Sequence, residues 1–575
     1  MGRGKPAVRT PGLVDAATKF PGLEPPEATS TPDLLRFLSR QAGRFRLRIV
    51  AASTVGGLSR GLLLATFNAA AAGAAGFIDY SLIGLFAVAL SVHLLATYDA
   101  AYQGELAIRD MVQRLRLQLC EKLLFSQLRF VERQGPSDIY AHISADIALL
   151  GQSAIVFLRN LQAAVVLAFA LAYLGWLSLP GLVAAVVTIV VSAAVYTWQD
   201  RKAMRLLSRA RVREDEFFEG VYDLVQGFKE LKLNRAQHVE LAANLRDVSD
   251  DYRRLSVSAG AMYHVSLVTS QAFLFGLVAV LVFVLPPLFP SSSVTIFQFL
   301  ATVLFIIGPV EQLVSSTPQI SRARIAHARV KALERDLERD SGVPAEREMK
   351  VEPLSFDTIA LKGVHYSFET AGGEETFDLG PIDLELKRGE VLFICGGNGA
   401  GKTTLLKLLM GLYYPATGEI LIDGRRLAPH EHQRYREMFM AIFSDFYLFR
   451  RLYGIADPDP SYVDELLAEM QIQHKTRLKN RVFTSINLSA GQRKRLAYAV
   501  SRLHDRQVYV FDEFAADQDP GFRRYFYSVI LPELKRQGKT VVAVTHDDRW
   551  FTAGDRLIKL DYGKISEQTL TSEAV

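Results

Sequence analysis

A chain of 575 residues is too long for one hydrophobic core, so at least two domains are expected. Hydrophobic residues make up 49% and the formal net charge is +5, but the Lys and Arg residues cluster beside apolar runs. That arrangement fits membrane topology rather than a nucleic-acid footprint, so nucleic acid is not expected as a partner. The two cysteines, Cys120 and Cys395, fall in different predicted domains, which argues against a disulfide framework and for a thiol-reducing compartment around the soluble part.

Residues 1–35 are polar, rich in Pro, Gly and Thr, and lack the apolar core of a signal peptide. They read as a cytoplasmic tail. Residues 36–340 form a predicted transmembrane domain, with apolar runs of spanning length at about 47–75, 80–104, 153–178, 180–199, 260–286 and 294–318. The links after spans one, three and five, Gly76–Tyr80, Trp176–Gly181 and Pro286–Val294, contain no Lys or Arg. The two long links are basic, with Arg109, Arg114, Arg116 and Lys122 in the first and Arg201, Lys202, Arg205 and Arg209 in the second. Basic links stay in the cytoplasm, which puts both termini there. Each long link has helical periodicity with charges on one side, as at Leu115, Leu117, Leu119, Leu123 and Leu124, and is read as a cytoplasmic extension of the spans. The predicted bends, near Pro136–Ile143 and near Gly227–Asn234, are the natural places to touch a soluble domain.

A charged helical stretch, Arg322–Asp340, leads to a composition shift, and the soluble domain is assigned to 350–575. It opens with a strand, Ile359–Phe368. A second strand, Val391–Ile394, runs into Gly396-Gly397-Asn398-Gly399-Ala400-Gly401-Lys402-Thr403, and a helical run begins at Thr404. Strand, glycine loop and helix are the context of a phosphate cradle. Backbone N–H groups and the helix N-terminus would face the phosphates, Lys402 would reach the β- and γ-phosphates, and Thr403 would hold Mg²⁺.

Further on, Val508–Phe511 is a buried strand that ends in Asp512 and Glu513. A carboxylate at a strand end can hold a metal and its neighbour can polarise water, so Asp512 is assigned to Mg²⁺ and Glu513 to general base. The strand Val541–Thr545 ends at His546, which is placed on the γ-phosphate. Leu488-Ser489-Ala490-Gly491-Gln492 resembles the signature loop of ABC ATPases.

With these motifs in this order, the chain resembles the ABC transporter superfamily in its exporter form, with membrane and nucleotide domains in one polypeptide. The segments Phe443–Phe449, Asp512–Pro520, Ile530–Lys535, Thr545–Arg549 and Gly227–Asn234 are similar to those of the bacterial cyclic-peptide exporters, which serve lipopeptides, siderophore precursors and a microcin. The resemblance implies an all-α six-helix transmembrane domain with long cytoplasmic extensions, followed by an α/β P-loop ABC ATPase domain. It implies ATP and Mg²⁺ as ligands and Phe368 stacked on adenine. It places Ser489, Gly491 and Gln492 on nucleotide held by a second copy, with Asp517 at the seam. One departure stands out: Ser444 occupies the position where most ABC domains carry a metal-coordinating Gln, and its shorter reach puts direct Mg²⁺ contact in doubt.

One phosphate loop, one signature loop and six spans imply a homodimer in a bacterial inner membrane, in contact with lipid. The expected function is ATP-driven export of a cyclic or modified peptide. The alternatives are a lipid or hydrophobic-drug exporter of the same build, and a membrane-anchored ATPase that senses without transporting. Asn68, Asp99, Gln103, Gln162, Gln271 and Gln298, within or near the spans, can serve either cargo or helix–helix hydrogen bonding.

Overall fold

The computed structural model describes residues 30–41, 43–72, 80–288, 293–340, 353–369, 376–455 and 458–570. The predicted tail and the links after spans one and five therefore lie mostly outside the described residues. Two compact units are present. Among the described residues, one takes in those up to Cys120 and Tyr140–Leu333, and the other takes in Glu121–Ile139 and those from Glu334 onward.

The first unit is helical. Helix α1 (Thr31–Gln41) precedes α2 (Arg46–Ala72) and α3 (Tyr80–Leu124). After α4 (Leu128–Gln134) and most of α5 (Pro136–Ala141), which fall in the second unit, come α6 (Ile147–Leu177), α7 (Leu179–Gln226), α8 (Phe228–Leu233) and α9 (Arg235–Ala279). The short α10 (Leu285–Leu288), then α11 (Ser293–Ser315) and α12 (Thr317–Asp340) complete the series. Among the described residues, six helices are long and apolar enough to cross a membrane. A spanning backbone must satisfy its own polar groups, which is why these runs are helices. With 48 residues, α7 is about 72 Å long at 1.5 Å per residue, more than twice a bilayer core of about 30 Å. The surplus is length beyond what a bilayer core needs.

Caps set where these helices turn. Ser178 Oγ accepts from the Gly181 N–H at the start of α7, and Asn234 Oδ1 accepts from the N–H groups of Ala236 and Gln237 at the start of α9. Between them α8 forms a tip that exposes Phe228 (51%) and Leu233 (90%). Closeness between α2 and α6 depends on small residues: a Cβ at Gly61 would stand 2.2 Å from the Phe169 ring, and one at Gly57 would stand 2.6 Å from Val165 Cγ1. Most of the polar residues flagged in the spans join helices. Asn68 Nδ2 donates to Thr302 Oγ1 at 3.3 Å, Gln298 donates to the Asn68 carbonyl, Gln271 donates to Glu311 at 2.8 Å, and Asp99 accepts from both Arg48 and Gln103.

The second unit has two main sheets. Strands β1 (Thr358–Glu369), β2 (Thr376–Lys387), β3 (Val391–Gly396), β4 (Thr417–Ile422), β5 (Arg425–Arg426) and β6 (Phe439–Ile442) come first. They are followed by the β7–β8 hairpin (Leu478–Lys479, Val482–Phe483), β9 (Val508–Asp512), β10 (Thr540–Val544), β11 (Arg556–Asp561) and β12 (Lys564–Leu570). One sheet is antiparallel, ordered β2-β1-β4-β5. The other is ordered β12-β11-β3-β10-β9-β6, parallel from β11 to β6. Strands β9 and β10 are buried along their whole length, the mark of parallel strands covered on both faces. The covering helices are α13 (Lys402–Leu409), α14 (His432–Arg436), α15 (Pro460–Glu469), α16 (Ala490–His504), α17 (Pro520–Tyr525) and α18 (Leu531–Arg536).

Helix α4 belongs to this second unit, slightly ahead of the bend predicted at Pro136–Ile143. Phe130 is 1% exposed. Glu132 accepts from Lys407 Nζ at 2.7 Å and from the Tyr413 hydroxyl, and Arg129 lies over the Tyr366 ring. Lys122 binds Glu334 and Glu338. The link after α3 thus enters the second unit through an aromatic and charged socket.

Candidate functional site

The site forms where parallel strands end. From β3 the chain turns through the glycine loop into α13. At Gly396 φ is +149°, and a Cβ there would stand 2.1 Å from the Leu560 carbonyl oxygen of β11, so only glycine allows the loop to leave the sheet at this point. Gly397, Asn398 and Gly399 are exposed and Ala400 is buried. Lys402 is buried and turned onto its own loop, donating to the carbonyls of Gly396 at 3.0 Å and Gly397 at 2.9 Å. Thr403 and Thr404 occupy the first turn of α13, where the N–H groups have no intrahelical acceptor.

Asp512 ends β9 at 2% exposure. Burial pushes its carboxyl above the usual range, while the hydrogen bond from Thr403 opposes that rise. Thr403 Oγ1 donates to Asp512 Oδ2 at 2.9 Å, and Ser444 Oγ lies 3.5 Å from the same oxygen. Three oxygens of Thr403, Ser444 and Asp512 converge there. Among the described residues no group of three or more His, Cys, Asp or Glu could hold a metal by itself. A small set of hard oxygen donors beside a phosphate cradle fits Mg²⁺, which keeps water and phosphate in its shell rather than a full protein cage.

Glu513 follows immediately and has φ of +52°, a left-handed conformation for a residue with a side chain. Three hydrogen bonds hold its backbone: its N–H donates to the Val544 carbonyl at 3.2 Å, and its carbonyl accepts from Lys494 Nζ at 2.8 Å and from the Ala516 N–H at 3.2 Å. The turn aims the carboxylate at His546, with Nε2 3.2 Å from Glu513 Oε1. Both line a cavity of about 310 Å³ with Arg523, Tyr527, Thr545 and Asp547. Phosphate loop, Ser444, Asp512, Glu513 and His546 therefore gather at one edge.

The signature segment caps α16. Ser489 Oγ accepts from the Gln492 N–H, and Gln492 Oε1 accepts from the Ser489 N–H, which is a capping box. A Cβ at Gly491 would stand 2.6 Å from the Asp517 carbonyl oxygen, so this glycine lets α16 approach the turn after β9. Asp517 is ion-paired with Lys494 at 2.8 Å. Among the described residues no hydrogen bond or ion pair joins Ser489, Gly491 or Gln492 to the phosphate loop of the same chain. The Phe368 side chain lies outside the described residues, although its backbone pairs with Phe377 across β1 and β2.

Sequence reasoning missed Lys494. It is 4% exposed at its side chain and ties the signature helix to both the Glu513 carbonyl and Asp517. A lysine two residues past Gln492 on a helix otherwise read by motif carried the only signal.

A glycine loop on a parallel sheet, with a hydroxyl, two carboxylates and a histidine at its edge, defines a P-loop nucleotide hydrolase, here joined to six helices of spanning length. The ABC transporter family model matches residues 379–516, and the ABC transporter transmembrane region matches residues 51–310. The ATP-binding protein SyrD of Pseudomonas syringae pv. syringae is 33% identical over 493 residues, covering 84% of this chain and 86% of that protein. The ATP-dependent lipid A-core flippase of Thiobacillus denitrificans is 26% identical over 516 residues, covering 84% of each. A multidrug efflux ATP-binding/permease protein of Mycobacterium bovis is 27% identical over 500 residues, 82% of this chain but 40% of that longer protein. The solved structure of a bacterial Atm1-family ABC exporter with ATP bound shares the fold, with a TM-score of 0.75 over 92% of this chain and 96% of that one at 17% identity.

The chain belongs to the ABC transporter family. It is a multi-pass membrane protein of the exporter type that binds ATP and couples its hydrolysis to transport.

Proposed function

We propose that two copies of this chain form an exporter in a bacterial inner membrane, with both termini in the cytoplasm, and move a cyclic or modified peptide outward. The observation that carries the reading is the intact hydrolytic edge, with Glu513 and His546 3.2 Å apart beside Thr403 and Asp512. A sensor without transport has no need of a complete hydrolytic set. For the peptide cargo, support comes from the motif resemblance of Phe443–Phe449 and Asp512–Pro520 and from the 33% identity with SyrD.

The dimer is supported by the signature segment. Ser489 and Gly491 stand at the positive end of α16 without contact to their own phosphate loop, so nucleotide held by a second copy is their natural partner. The exposed Phe228 and Leu233 of α8 are a second surface suited to an apolar partner. In this reading Lys402 leaves the loop carbonyls for the phosphates, Phe368 stacks on adenine, and Asp517 faces the seam. Thr403 and Asp512 hold Mg²⁺, with Ser444 close enough to contribute through water. The ion, when bound, neutralises charge on the β- and γ-phosphates. Glu513 orients the attacking water, and His546 holds that carboxylate and contacts the γ-phosphate. Closure favours the outward-open state because ATP binds the closed pair better.

Asp512 gives a test with two signs. Because its folded pKa is raised, the native state binds more protons than the unfolded chain between the ordinary carboxylate value and the raised one. Stability therefore falls as pH rises through that window, and at neutral pH the buried charge is a cost. Asp512→Asn keeps an acceptor for Thr403 and removes the charge. The expected outcome is an unchanged or higher unfolding temperature without nucleotide, with Mg²⁺-dependent ATPase lowered by about two orders of magnitude. A lower unfolding temperature with normal turnover would contradict the metal assignment.

The cargo test is ATP-driven accumulation in inside-out vesicles. Cyclic lipopeptides should accumulate and should stimulate ATPase above the level set by lipid alone. Stimulation by lipid alone, with no peptide accumulation, would favour the second reading, a flippase, which the lipid A-core flippase relatives support. A stably monomeric protein with full ATPase would remove the dimer.

A further inference from the structure

Arg60 is a charge in the apolar helices that the sequence reading passed over. It lies on α2 within the span Arg46–Ala70 and is exposed. Its guanidinium stands over the Phe305 ring of α11, 5.2 Å from the centroid. Two other ionised groups in the spans have polar partners. Arg48 pairs with Asp99, and Glu311 accepts from Gln271. Among the described residues no carboxylate stands within ion-pair distance of Arg60. At 1.5 Å per residue, Arg60 is about 21 Å along α2 from Arg46 and about 18 Å from Ala72, which is deep within a bilayer core of about 30 Å.

Beside it is an open apolar cavity of about 560 Å³, with Phe67 of α2, Phe86 of α3 and Phe297 and Phe305 of α11 among its walls. Arg60, Leu64 and Phe67 follow one another on one face of α2, and Phe297, Ala301 and Phe305 do the same on α11. The walls are held at a set spacing by the buried hydrogen bonds from Asn68 to Thr302 and from Gln298 to the Asn68 carbonyl. A ring face satisfies the charge of an arginine only in part and takes none of its five N–H donors in the guanidinium plane.

The geometry points to a cargo subsite: Arg60 captures the carboxylate of an amphiphile whose acyl or aromatic part lies among Phe67, Phe86, Phe297 and Phe305. A planar guanidinium matches a carboxylate through two parallel hydrogen bonds, and low polarity strengthens them. A resident bilayer lipid does not fit, because its charged headgroup sits at the interface while Arg60 sits near the middle. The bound molecule must carry its anionic group into the membrane interior, as an exported amphiphile held in a transport cavity does. This deepens the export reading and rests on it for the statement that the occupant is cargo.

The test uses the full chain in phosphatidylcholine nanodiscs and two fluorescent probes, dansyl-aminoundecanoic acid and its methyl ester. The acid should bind saturably and more tightly than the ester. Arg60→Ala should raise the Kd for the acid about tenfold or more, while Arg60→Lys, which keeps the charge but loses the paired hydrogen bonds, should fall between wild type and Arg60→Ala. Neither should change ester binding, and Phe305→Leu should weaken both probes. If Arg60→Ala does not fold, Arg60→Gln carries the same comparison. The proposal is overturned by unchanged acid binding in Arg60→Ala, by equal losses for acid and ester, or by the absence of saturable acid binding in wild type. Arg60-dependent binding without ATP-driven accumulation in inside-out vesicles would keep the subsite and overturn the export reading instead.

Discussion

In the Glu513→Gln variant, steady-state ATPase is expected to fall by about 10²–10⁴-fold, the usual worth of a positioned general base, with ATP still bound. The amide keeps the size of the side chain and a hydrogen bond to His546, so the left-handed turn at φ +52° persists. What it loses is the negative oxygen that draws a proton from water. If two copies close on nucleotide, the variant should also accumulate as an ATP-occluded dimer, because hydrolysis is the step that reopens it. Nucleotide retention after rapid gel filtration, together with single-turnover rates, measures both effects. Near-normal turnover would remove Glu513 from its role. Slow turnover without retained nucleotide would keep the base and count against the sandwich.

Lys494→Met should be the next most damaging change, although no motif marks this residue. The thioether fills the buried space but cannot donate. The Glu513 carbonyl then keeps only the bond from the Ala516 N–H at 3.2 Å and loses the one from a charged donor, at a cost of about 1.5–3 kcal/mol. The same bond helps hold a non-glycine residue in a left-handed conformation, itself worth about 1–3 kcal/mol of strain that the surroundings must outweigh. Released, the turn can relax and swing the carboxylate away from His546. The expected result is kcat lowered by about 5- to 100-fold with the KM for ATP close to wild type, because Lys494 does not touch the phosphate loop. Lys494→Arg should recover part of the rate by donating to the same carbonyl. A purely structural role would lower the unfolding temperature and leave kcat per folded molecule unchanged, and that outcome would sink the positioning argument.

Both cases show where the sequence was informative. The phosphate loop, Asp512, Glu513 and His546 were legible as candidates because each follows a buried strand rich in Val, Phe, Ile and Ala, and because they fall in one order along the chain. The spans were legible because a bilayer core demands a long apolar helix whatever the neighbours are. The basic links betrayed the extensions for the same reason: charge cannot cross the lipid.

Other features depend on contacts between residues far apart in the chain. Nothing local says that Lys494 reaches Glu513, that a Cβ at Gly491 would meet the Asp517 carbonyl, or that the first bend falls at α4, where Glu132 meets Lys407 and Tyr413. Nor could periodicity tell that Asn68 and Gln298 join α2 to α11 while Arg60 stands over the Phe305 ring with no carboxylate paired to it among the described residues. Sequence alone determined the element types, the membrane spans and which residues stand at the strand ends, because these follow from hydrophobic period and residue type. Tertiary structure alone decided which polar groups serve the fold and which remain open for a ligand, because satisfaction of a buried charge or hydrogen bond belongs to pairs of residues and not to either one.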